Sequence, residues 1–222
     1  MSLMMKVMTD LTLYSYFRST AAYRVRIALA IKEVNYRLIP VNLLKGEHKE
    51  DHYVDKNPDG LVPMLETPSI ALGQSMAILE YLEETYPTPS LLPTNAEHRA
   101  YVRALAYTIA SDIHPINNLR VLKYLTNTLG LSEDDKIRWY HHWLEQGFTS
   151  IEQRLQQNRD KGDYCFSDTP SLADICLVPQ IYNAKRFDFS MQAYPEIMRI
   201  HENCMSLAAF ESTRPENQPD VT

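Results

Sequence analysis

Two places in this chain set hydroxyl and amide donors where they could converge on an anion. Ser19 and Thr20 lie at the start of a helical stretch, where the first amide N–H groups lack intrahelical partners. A hydroxyl there, helped by the helix dipole, can stabilise a negative charge such as a thiolate, or it can serve as a plain N-cap. Gln74-Ser75 open a later helix and carry the same two readings, because helix N-termini bind carboxylates and Ser75 suits an N-cap. Guanidinium forks match carboxylates, and Arg18, Arg120 and Arg186 are among the arginines of the chain. Each arginine in isolation reads as a surface salt bridge, and Arg24 and Arg26, inside the first helix, are left to that structural reading. His114 directly precedes Pro115 and could mark a kink as well as a site. His48 alone reads as a solvated loop histidine.

Metal chemistry finds no support in the pattern. Cys165, Cys176 and Cys204 are an odd, widely spaced set without zinc-ligand spacing, and they suit a reducing cytosol. His141 and His142 are adjacent, so on a helix they diverge. With 22 Lys+Arg against 28 Asp+Glu, the net charge is -6, which argues against a nucleic-acid partner but leaves room for a local basic pocket. No apolar run approaches membrane-spanning length. The first residues are too short for a signal peptide and are broken by Lys6 and Asp10. Met4-Met5 following so soon after Met1 make residues 1–3 read as an added extension.

The elements that must position these residues change character along the chain. At about 150 residues per domain, 222 residues fall between one and two domains. Residues 11–14, 36–41, 61–65 and 69–72 read as strands, with a helix over 21–31 whose apolar face is Ala21, Val25, Ala28 and Leu29. Strand–helix–strand order implies a parallel pair with a crossover helix. The later two strands read as a hairpin, and Pro40 puts the second strand at a sheet edge. A helix over 75–84 follows, and then Pro87, Pro89 and Pro93 punctuate a linker. Beyond it only helical periodicity remains: 96–129, bent at Pro115; 132–159, capped by Ser132 and Asp135; one opened by Ser171-Leu-Ala-Asp174; and one begun by Pro195. The polar tail from 211 reads as loosely packed. The domain reading is thus an α/β domain over 9–86, a linker over 87–95 and an all-helical domain over 96–222.

That architecture, with Val62-Pro63, Gln74-Ser75, Ser171-Leu-Ala-Asp174 and Ser19-Thr-Ala-Ala-Tyr-Arg-Val-Arg-Ile-Ala-Leu29 in place, resembles the zeta class of cytosolic glutathione transferases. The likeness extends through 112–123 and 177–187 and covers nearly the whole chain. It implies a thioredoxin-like domain, a helical domain, a homodimer and glutathione as cofactor. It also implies a cis proline at Pro63, with the Val62 backbone paired to the cysteinyl backbone of glutathione. Gln74 and Ser75 would receive the γ-glutamyl end, His48 the glycyl carboxylate, and Ser19, Thr20 and the Ala21 position would face the thiol. Asp112, Asn118, Leu119 and Arg120 would touch glutathione across a dimer interface. Ala21 stands where the class signature has cysteine, so the sulfur must be glutathione's.

By the same resemblance the activity is isomerisation of a maleyl dicarboxylate. Thiolate adds to the cis double bond, the single bond so formed rotates, and elimination leaves the trans product. Ser19, Thr20 and Arg18 would be catalytic, with Arg18, His114, Arg120 and Arg186 holding the substrate. Maleylacetoacetate, in tyrosine and phenylalanine degradation, is the leading substrate and maleylpyruvate the alternative. A general transferase acting on halogenated acids is a second alternative. A non-enzymatic interaction module is disfavoured, because Ser19, Val62, Gln74 and Ser75 are all retained.

Overall fold

The structure, a computed structural model, describes residues 10–160 and 162–221, so the reading of residues 1–3 as an extension lies outside the described residues. The chain divides into two compact units, Met1–Pro89 with Ala208–Thr222, and Ser90–Leu207.

In the first unit, β1 (Thr12–Ser15), α1 (Thr20–Ile31) and β2 (Arg37–Pro40) make the expected parallel pair with its crossover helix. A 3-10 turn at Glu47–Lys49 leads into α2 (Asp51–Val54), a four-residue helix too short to leave a periodic signal. β3 (Met64–Glu66) runs antiparallel to β1, β4 (Ala71–Leu72) completes the hairpin, and α3 (Ser75–Thr85) follows. The sheet order is β2-β1-β3-β4. β2 is therefore an edge strand, where the missing N–H of Pro40 leaves no inner ladder bond broken.

The first helix differs from its one-faced reading. Residues from Thr20 to Leu29 are buried except Ala21, including Arg24 at 1% and Arg26 at 0% exposure. These two arginines are not surface salt-bridge formers. A helix that is apolar nearly all round is buried all round, and any charge it carries must find partners inside.

The second unit is helical: α4 (Ala96–Tyr107), α5 (Leu119–Asn127), α6 (Glu133–Gln157), α7 (Leu172–Arg186) and α8 (Pro195–Met205). The single bent helix expected over 96–129 is instead two. A π-helical turn, Thr108–Ile113, follows α4, and Asn118 caps a fresh start, because Pro115 has no N–H with which to continue the ladder. Ile113 packs onto Gly147 of α6, where a Cβ would fall 2.2 Å from its Cδ1. The capping boxes at Ser132/Asp135 and Ser171/Asp174 both form.

The tail is not loose, and it does not belong with the helical unit. From α9 (Ala208–Glu211) onward the chain packs on the sheet unit, burying Phe210, Thr213 and Pro215. Tyr23 Oη donates to the Phe210 carbonyl at 3.2 Å, Arg26 Nε to that of Thr213 at 3.2 Å, and Phe17 N to Asp220 Oδ2 at 2.9 Å.

Candidate active site

Strand polarity decides where the glutathione-side residues go. β2 runs parallel to β1, β3 antiparallel to it, and β4 antiparallel to β3. The C-terminal ends of β1, β2 and β4 and the N-terminal end of β3 therefore share one edge of the sheet. Ser19 follows β1, His48 lies beyond β2, Val62-Pro63 precede β3 and Gln74-Ser75 follow β4. Four stretches that are remote in sequence thus meet at the edge where open α/β sheets bind ligands. With Leu65 opposite Leu72 and Glu66 opposite Ala71, β4 runs toward the end of the hairpin at which Val62-Pro63 enter β3.

Hydrogen bonds hold the stretches around β1, β3 and α3, those made by Arg24 and Arg26 being buried. Arg26 Nη1 donates to Ser15 Oγ and Nη2 to the Phe17 carbonyl, both at 3.1 Å, which fixes the turn between β1 and α1. Ser19 is the N-cap of α1: its Oγ accepts from Ala22 N at 3.2 Å. Because that bond uses a lone pair, the hydroxyl hydrogen remains available as a donor, so the cap is compatible with a second role as an anion donor. Thr20 is buried at 5% exposure and Ala21 half-buried. Arg18 is exposed, its guanidinium carbon 4.8 Å from the Phe17 ring centroid.

The segment before β3 is pinned at Leu61, whose carbonyl accepts from Tyr53 Oη at 2.5 Å and Asn57 Nδ2 at 2.6 Å. The Val62-Pro63 bond is cis, and Val62 packs against a core of Tyr14, Val41, Tyr53 and Met64. His48 is half-buried in the 3-10 turn rather than fully solvated.

Ser75 is not the cap of α3. Gln74, at φ 61°, occupies that position without a side-chain capping bond, and Ser75 is the first helical residue. Its Oγ accepts from Arg24 Nη1 at 3.3 Å. Gln74 Nε2 donates to Asp59 Oδ2 at 3.3 Å. The N-terminal amides of α3 face this edge and suit a carboxylate.

The helical unit gathers its own candidates around one buried residue, Tyr140 of α6. Its carbonyl accepts from Asn117 Nδ2 at 3.2 Å, its hydroxyl from Asn183 Nδ2 at 2.7 Å, and Asn183 Oδ1 accepts from Arg186 Nη1 at 2.8 Å. The Tyr140 ring stacks on Phe187, centroids 4.1 Å apart, and burial holds its hydroxyl far above the ordinary tyrosine range. Tyr140 thus ties the 114–120 loop to Arg186. In that loop Asn118 Oδ1 caps α5 on Arg120 N at 3.1 Å, with its Nδ2 3.4 Å from His114 Nε2. Asp112, Leu119 and Arg120 are exposed. Among the described residues, Arg18, Arg120 and Arg186 are exposed and form no ion pair.

Arg24, Arg26 and Tyr140 escaped the reading of the sequence. For the arginines a signal existed: two charges in a helix with no polar stripe. Tyr140 left none, since its role depends on which segments pack against α6. Cys165, Cys176 and Cys204 are all buried. Burial and the nearby Asp174 carboxylate push the Cys165 and Cys204 thiols far above the usual range, so neither can supply a thiolate.

The family pattern described as glutathione S-transferase, N-terminal domain, matches residues 9–84. A Vibrio cholerae protein named as a probable maleylacetoacetate isomerase is 49% identical over 96% of this chain and 100% of its own. The chain belongs to the zeta-class glutathione transferases. The holo structure of a bacterial zeta-class maleylpyruvate isomerase is similar at a TM-score of 0.93 and 45% identity, covering 95% of this chain and 100% of that one. A maleylacetoacetate isomerase from Methylobacterium extorquens AM1, with bound malonate and glutathione, reaches a TM-score of 0.92 at 34% identity, over 95% and 99% of the two chains. No described helix is long and apolar enough to cross a membrane.

Proposed function

We propose that this chain is a glutathione-dependent cis–trans isomerase that converts maleylacetoacetate to fumarylacetoacetate in tyrosine and phenylalanine breakdown. It would work as a cytoplasmic homodimer. The observation that carries the reading is the convergence of Ser19, Val62-Pro63 and Gln74-Ser75 on one sheet edge. The donor set fits glutathione: helix N-terminal amides for a carboxylate, an extended backbone for a peptide, and a hydroxyl hydrogen for a thiolate. When bound, glutathione supplies the nucleophilic sulfur for the substrate's conjugated double bond, without being consumed.

The chain's own residues bind and polarise. Ser19 Oγ donates to the sulfur, with Thr20 and the N-terminus of α1 lowering the cost of its negative charge. Val62 presents its backbone, Gln74 and Ser75 hold the γ-glutamyl end, and His48 the glycyl carboxylate. Arg18, Arg120 and Arg186, with His114, anchor the substrate carboxylates and the charge that develops on its enolate oxygen. The Methylobacterium relative with bound malonate and glutathione supports a dicarboxylate pocket. In the dimer, Asp112, Asn118, Leu119 and Arg120 would reach the partner's glutathione.

Likeness to a maleylpyruvate isomerase favours maleylpyruvate as the second reading. The deciding experiment assays glutathione-dependent isomerisation of both substrates beside conjugation of chlorodinitrobenzene, for wild type and Ser19→Ala. Wild type should isomerise maleylacetoacetate faster than maleylpyruvate, and Ser19→Ala should lose about 100-fold in turnover, as for loss of one charge-stabilising donor. Fast conjugation without isomerisation would overturn the assignment.

A further inference from the structure

We propose that Arg24 is a positioning residue for the carboxylate-binding end of the glutathione site, acting through Ser75; this rests on the glutathione reading above. Arg24 sits on α1, 1% exposed, and its Nη1 donates to Ser75 Oγ at 3.3 Å. Ser75 is itself buried at 7% exposure and is the first residue of α3. A hydroxyl oxygen that accepts from a guanidinium keeps its own hydrogen for another acceptor. The bond from Arg24 therefore sets the direction in which Ser75 can donate, and the acceptor it offers itself to is an anion at the N-terminus of α3.

The charge of Arg24 adds to the same effect. A guanidinium stays protonated at every working pH, and in a buried position its field is less screened than that of a surface lysine. It stands beneath the helix end that already carries the positive pole of the dipole. A carboxylate delivered at Ser75 meets helix dipole, amide N–H, oriented hydroxyl and buried cation together. Burying a cation is unfavourable unless anionic or dipolar partners balance it, and a ligand carboxylate adds to that balance.

The test compares two peptides by titration calorimetry on the full chain. One is glutathione; the other is 4-aminobutyryl-cysteinyl-glycine, which keeps the amine and lacks only the α-carboxylate. Arg24→Met should weaken glutathione binding about 10- to 100-fold, as for loss of a charged hydrogen-bond network. Its affinity for the decarboxylated peptide should stay within about 2-fold of wild type. Ser75→Ala should erase the same preference, and Arg24→Met added to it should change little further. In turnover assays the KM for glutathione should rise while kcat at saturation holds. If Arg24→Met does not fold, Arg24→Lys, which keeps the charge without the fork, takes its place and should lose part of the preference. Equal loss for both peptides would make Arg24 a packing residue and overturn the proposal. A wild-type chain that binds neither peptide would overturn the glutathione reading itself, and this proposal with it.

Discussion

At the residue scale, the chemistry is arranged around a sulfur that the chain does not provide. Ala21 replaces the cysteine of the class signature, and the three cysteines present are buried within the helical unit. Two of them crowd the Asp174 carboxylate: Cys165 through its N–H at 2.9 Å and Cys204 through Sγ at 3.9 Å. Burial first, and that negative charge second, raise both thiols. The sign sets the prediction. A free thiol near pKa 8.5 is mostly thiolate at about pH 9, whereas a thiol raised well above that stays protonated and unreactive. Native protein exposed to an aromatic disulfide reagent at pH 9 should therefore release no chromophore over minutes, and three equivalents once denatured. Rapid native reaction would show that the cluster opens. Ser19 shows how far one residue can be read from sequence: its two roles, cap and anion donor, were both legible. That the two are compatible was not, because it depends on Ser19 Oγ accepting from Ala22 N and so keeping its hydrogen free to donate.

At the element scale, the same capping box appears twice with different surroundings. Ser132/Asp135 opens α6 at the exposed surface, and Ser171/Asp174 opens α7 with Asp174 fully buried. Asp174 also accepts from Cys165 N, so it satisfies backbone on two segments. Burial lifts its carboxyl above the usual aspartate range, against the hydrogen bonds from Ser171 and Cys165. Asp174→Ala leaves two buried N–H groups without acceptors and should cost about 3 kcal/mol or more in urea unfolding. Ser132→Ala, where water can replace the cap, should cost about 1 kcal/mol or less. Equal costs would mean that burial does not matter. Both boxes were readable from their spacing; the difference between them lies in what packs over each. The four-residue α2 was not readable, and Pro115 signalled a bend between α4 and α5 but not the full break, since short elements and π-helical turns leave no periodic trace.

At the scale of the whole molecule, the chain returns after the helical unit to pack on the sheet unit. Phe210, Thr213 and Asp220 meet Tyr23, Arg26 and Phe17, which brackets the turn that carries Ser19. Truncation after Leu207 should destabilise the sheet unit by about 3 kcal/mol or more, because it strips acceptors from a buried arginine and a buried tyrosine. Asp220→Ala alone should cost about 1 kcal/mol, read as a lower urea midpoint at unchanged slope. A truncated chain as stable as the full one would show the tail to be dispensable. Sequence alone determined the class of each long element, the parallel pair and edge strand, both capping boxes and the residue types suited to thiolate and carboxylate. Those follow from local periodicity, caps and side-chain chemistry, which nearby residues dictate. Tertiary structure alone decided that Ser75 is held by Arg24 rather than capping α3, that Arg26 clasps the tail, and that Tyr140 joins Arg186 to the 114–120 loop. Each of these contacts links positions more than ten residues apart, and only packing says which buried donor meets which acceptor.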